Sequence, residues 1–148
     1  MIALILAGAL LAQDYTQDEV IEEGERIGRA AAAMGMCKSF GYRVYEQTGA
    51  HWAQTFGEDA EASGWSASVV QSAIQAGTAS ELAEAALQDI PDAATDAEFV
   101  AQATAVVERV KARCRRLAQE HSGLISHLDE GDRNADAQLA IMVRPLSQ

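Results

Sequence analysis

Apolar residues recur along this chain at steps of three and four, the spacing of one face of an α-helix, and no stretch alternates at a step of two as a half-buried strand would. The cleanest run is Thr95 to His121, where Phe99, Ala103, Val106, Val107, Val110, Cys114 and Leu117 share a face. Thr95-Asp96-Ala97-Glu98 fits a capping box, so the start of this helix is well marked. Its end is less so. His121, Leu124 or Ile125, and Leu128 continue the stripe, and the pattern allows the helix to run past Gly123.

A second long helix is predicted over 14–40. Thr16-Gln17-Asp18-Glu19 is another capping box, Val20, Ile27, Ala31, Met34 and Cys37 form the stripe, and Gly41 is a natural stop. Glu22 with Arg26, and Glu25 with Arg29, are i,i+4 pairs in the favourable order. Gly24, Gly28 and Ala32 make a small-residue ridge that lets another helix come close. In a non-membrane chain this is a packing feature rather than a membrane dimer motif.

Shorter elements follow the same logic. Ser66 can cap a helix through Val69, Val70, Ala73 and Ile74 that Gly77 ends. Thr78-Ala79-Ser80-Glu81 is a third capping box, opening a helix through Leu82, Ala86, Leu87 and Ile90 that Pro91 stops. Between Phe40 and Trp65, Gly49 and Gly57 predict the least regular part of the domain, and Glu58 to Glu61 reads as a solvated acidic turn. Glu130 to Asn134 reads as a turn before a short apolar patch, Leu139 to Val143, so that a tail from about 130 docks on the bundle or stays mobile. The expected fold is all-α: a compact bundle of four to five helices in a single domain over 13–148, with no strand.

Composition changes this picture in one respect. Residues 1–12, MIALILAGALLA, are an uncharged apolar run too short to span a bilayer, which takes about 20 residues. They read as the core of a signal peptide, and the expected location is periplasmic or secreted, with no stable membrane span after processing. In such a compartment Cys37 and Cys114, the only cysteines, each on the stripe of a long helix, are expected to form a disulfide that ties those helices. The rival reading makes Cys114 a reactive thiol of a small enzyme or redox protein, its thiolate favoured by Arg113, Arg115 and Arg116. A place on the buried stripe argues against that.

The net charge of −11 disfavours nucleic-acid and anionic-membrane partners, because phosphate repels such a surface. The exception is the basic cluster of Arg109, Lys111, Arg113, Arg115 and Arg116, whose side chains are expected to pair with acidic neighbours. A metal-handling reading would draw on His51, His121, His127, Asp129 and Glu130, or on the soft donors of Met34-Gly35-Met36-Cys37. Neither set has the paired spacing that zinc or copper sites usually show. Gly64-Trp65-Ser66-Ala67-Ser68 matches a nucleophile elbow only in part, with no preceding strand, and Ser66 is better explained as a cap.

Six of the eight aromatic residues fall between Phe40 and Trp65. Tyr42, Tyr45, His51, Trp52, Phe56 and Trp65 are therefore the candidate binding surface. Burial statistics favour the alternative, in which these rings fill the core of an alanine-rich bundle. The reading that follows is a non-catalytic interaction or accessory protein with an unidentified protein partner that meets the aromatic region or the acidic face. It assigns no cofactor and no metal, leans away from catalysis, and leaves the oligomeric state open.

Overall fold

The structure, a computed structural model of the chain, describes residues 14–85 and 95–147. The signal-peptide reading of 1–12, and Ala86 to Ala94 with the expected stop at Pro91, lie outside the described residues. Among the described residues five α-helices make up the bundle: α1 (Gln17–Ser39), α2 (Glu46–Ala62), α3 (Ala67–Ala85), α4 (Asp96–Glu120) and α5 (Leu128–Val143), followed by a short 3-10 turn at Arg144–Ser147. The all-α bundle is as the periodicity predicts, and Cys37 and Cys114 form a disulfide with Cα atoms 5.9 Å apart.

Helix α1 is the hub. Its capping box is complete, Thr16 accepting from the Glu19 N–H while the Glu19 carboxylate accepts from the Thr16 N–H. At the other end Gly41 takes φ +92°, the left-handed conformation that terminates a helix cheaply only at glycine. Helices α2, α3 and α4 pack around α1, and α5 packs along α4. Two cores result. Ala33, Met34, Met36, Cys37, Val107, Val110, Cys114 and Leu117 form the larger with Tyr42, Leu124 and Ile125. Val20, Ile27, Phe56, Ala60 and Val70 form the smaller.

The small-residue ridge faces α3 of the same chain. A Cβ at Gly24 would meet Ala73, one at Gly28 the Ile74 carbonyl and the Thr78 N–H, and one at Gly77 the backbone of Glu25. Thr78 Oγ1 adds hydrogen bonds to the Gly28 carbonyl (3.3 Å) and the Ile74 carbonyl (3.0 Å). Gly28→Ala or Gly77→Ala must push backbone from backbone, and each is expected to cost about 1–3 kcal/mol in urea unfolding. Gly35→Ala is the control. Nothing lies within 4 Å of its Cβ position, so it should hold or raise stability, by up to about 1 kcal/mol from helix propensity.

Several local expectations are corrected. Gly77 and the box at Thr78 do not break the helix: α3 runs through both, because Gly77 is where α1 sits and Thr78 bonds back along its own helix. Gly49, Gly57 and the acidic stretch Glu58 to Glu61 all lie in a continuous α2, where Ala60 is fully buried. Helix α4 stops at Glu120, with His121 as its cap. Glu130 to Asn134 is not a turn but part of α5, whose Gly131 packs against the ring of Tyr42. A minimal antiparallel sheet pairs β1 (Arg43–Val44) with β2 (Ile125–Ser126), where no strand was expected. Two residues carry no periodicity to read. Arg26 pairs with Glu23 (3.5 Å) and Arg29 with Glu84 of α3 (3.2 Å), in place of the expected i,i+4 partners. Ala31, placed on the buried stripe of α1, is exposed.

Candidate functional site

The glycine seam draws α3 down onto α1, whereas bulky side chains hold α2 off. Tyr15 meets Phe56 edge to face at 5.6 Å, and Trp52 projects from α2 toward the start of α1. This asymmetry leaves an apolar trough of about 280 Å³ between α2 and α3, with α1 as its floor. Ile27, Ala31, Met34 and Gly35 line the floor, Gly49, Trp52 and Ala53 one wall and Ile74 the other, with Leu124 also contributing. Small residues at 31, 35, 49 and 53 are what keep it empty. Among the described residues its one charged lining side chain, Glu46, is held by Lys38 at 2.6 Å.

Trp52 is fixed by three polar neighbours. Its indole N–H donates to Glu23 (2.9 Å), the Arg26 guanidinium lies over its ring at 5.4 Å, and the His121 ring meets it at 4.8 Å, tilted by 47°. The cation over the π face and the satisfied N–H hold the ring in place. Burial, then the Arg26 charge, lowers the pKa of His121, so the ring favours its neutral form. Glu23 and Arg26 also line a second, acidic groove of about 520 Å³ with Asp14, Tyr15, Glu19 and Glu22. Through Glu23 and Trp52 the acidic groove and the apolar trough adjoin.

The six residues singled out from the aromatic region are not brought to one surface. Tyr42 and Phe56 are buried, one in each core. The Tyr42 hydroxyl donates to Asp132, and burial followed by that hydrogen bond pushes its pKa well above the usual phenol value. Trp65 packs against the smaller core with its N–H on the Tyr15 carbonyl (2.7 Å), and His51 is exposed. Tyr45 is exposed and shares a hydrogen bond of 2.7 Å with Ser126, which in turn bonds His127 Nδ1 at 2.8 Å. Trp52 alone of the six lines the trough. The other liners were missed because alanine and glycine announce packing, and only the packed structure shows where packing falls short.

Both sulfurs are bonded to each other and fully buried, so no thiolate is on offer at Cys114. No group of three or more His, Cys, Asp or Glu side chains suited to a metal ion occurs among the described residues. No helix there is long and apolar enough to cross a membrane. Within the basic cluster, Arg113 pairs with Glu81, Arg115 with Asp132, and Lys111 with Glu108 (3.3 Å) and Asp136 (3.0 Å). Comparison with protein-family models, curated proteins and solved structures returns no match.

Proposed function

We propose that this is a non-catalytic extracytoplasmic accessory protein that holds a polypeptide partner by an apolar side chain seated in the α1/α2/α3 trough and flanking cations laid over the acidic groove. The observation that carries the reading is the junction at Trp52, where a fixed apolar wall adjoins a groove lined by four carboxylates, Asp14, Glu19, Glu22 and Glu23, against the single cation Arg26. An empty apolar hollow with ordered walls gains affinity without an ordering cost on the protein side. Acidic groups beside it select for positive charge and speed encounter. The disulfide supports an oxidising compartment, since cytosolic reductants keep such pairs open.

Titration with capped Lys-Leu-Lys-Lys peptide, followed by amide NMR, tests this. Saturable shifts are expected at Ala31 and Ala53. A Lys-Ser-Lys-Lys peptide and a Glu-Leu-Glu-Glu peptide should each bind at least about tenfold more weakly, about 1.4 kcal/mol. Ala31→Arg, which fills the trough floor at an exposed position, should abolish the shifts while leaving the fold intact. Equal binding by all three peptides, or shifts unaffected by the Ala31 variant, would overturn the reading.

A further inference from the structure

The arginine row on α4 makes a second hollow, remote in chemistry from the trough. Arg109, Arg113 and Arg116 stand at i, i+4 and i+7 and line a cavity of about 240 Å³ with Met36, Val110 and Ala85. Like charges at this spacing repel one another, and this chain has only 11 Lys and Arg against 22 Asp and Glu. Ion pairing answers for the middle arginine alone. Arg113 gives its Nε and Nη2 to the two oxygens of Glu81, a carboxylate 1% exposed, which holds the guanidinium plane rigid. A guanidinium has five N–H donors, so three remain on Arg113 after this bidentate bond. No carboxylate among the described residues pairs with Arg109 or Arg116, both exposed. Glu84 also lines the hollow and pairs with Arg29 at 3.2 Å.

We infer that this hollow is a binding site for a small carboxylate with an apolar body. The carboxylate lies between Arg109 and Arg116 on the free edge of Arg113, and its hydrocarbon lies on Met36 and Val110. The guanidinium fork matches a planar carboxylate, and a fixed Arg113 gives that match at reduced entropic cost. An apolar floor in a hollow below the usual drug-sized range selects a short body over a bare anion.

Hexanoate, hexanol and inorganic phosphate are the probes, followed by amide shifts at Val110 and Ala112 and the methyl signal of Met36. Hexanoate is expected to give saturable shifts at all three positions, with hexanol and phosphate each at least about tenfold weaker. Arg109→Gln combined with Arg116→Gln should weaken hexanoate by a similar factor at an unchanged thermal midpoint, because both side chains are exposed. Absence of saturable hexanoate shifts overturns the site. So does hexanol binding as well as hexanoate, since the arginines would then contribute nothing. Phosphate binding as tightly as hexanoate overturns the ligand class, since the apolar floor would be idle.

Discussion

Arg113→Ala is expected to remove about 3–5 kcal/mol of folding free energy, a large share of what a domain of this size holds. The cause lies with its partner. Glu81 sits on α3 with its side chain out of water, and the bidentate bond from Arg113 of α4 compensates its charge. That bond raises the Arg113 pKa further, so the guanidinium stays charged at any pH the fold survives. Truncating it leaves a buried carboxylate with no counter-ion, whereas replacing both ends together removes the burial cost and the attraction alike. Glu81→Leu with Arg113→Met should therefore be near neutral, or more stable than the parent by about 1–4 kcal/mol. Urea unfolding of the two single variants and the double variant gives the cycle. A loss below about 1 kcal/mol for Arg113→Ala would show that Glu81 reaches solvent and that α3 is not anchored here.

Opening the Cys37–Cys114 bond is expected to cost about 2–5 kcal/mol, with the chain-entropy account giving about 4.5 kcal/mol for a separation of 77 residues. The bond joins the last turn of α1 to the C-terminal third of α4, so the reduced chain loses its covalent shortcut between them. Paired Cys37→Ala and Cys114→Ala substitutions should lower the urea midpoint while leaving helicity intact below it. Intact mass of protein recovered from its native compartment, alkylated with and without prior reduction, carries the localisation proposal at the same time. Loss of about the first dozen residues, with alkylation only after reduction, supports an exported, bonded chain. A full-length chain with two freely alkylated thiols would sink it.

How much of this was legible depended on whether a signal was local. The starts of α1 and α4 were readable because Thr16 and Thr95 cap them through bonds three residues long. The stripe through Val107, Val110, Cys114 and Leu117 was readable because a buried helix face repeats. Gly77 misled because glycine has two uses, ending a helix or admitting a neighbour, and only the proximity of Glu25 decides between them. Glu81 misled for a related reason: four residues of pattern marked it as a cap partner, while Arg113, 32 residues away, had claimed it. Of the candidate surface, Trp52 was legible as an aromatic. That Tyr42 would lie under Gly131 was not, because the contact joins segments with no shared periodicity.

The seam between α1 and α3 has a mechanical consequence. Its contacts are backbone against backbone at Gly28 and Gly77 and backbone against the Ala73 methyl at Gly24, and the neighbouring positions in each helix carry side chains. Sliding α3 by one residue would drive a side chain into space where only hydrogen fits, so small displacements along the axis meet a wall rather than a slope. Rotation away from α1 is opposed by other means, the Glu81–Arg113 bond to α4 and the Thr78 bond to the Gly28 carbonyl. Helix α3 is thus keyed in register by the seam, which holds the Ile74 wall of the trough at a fixed height along α1.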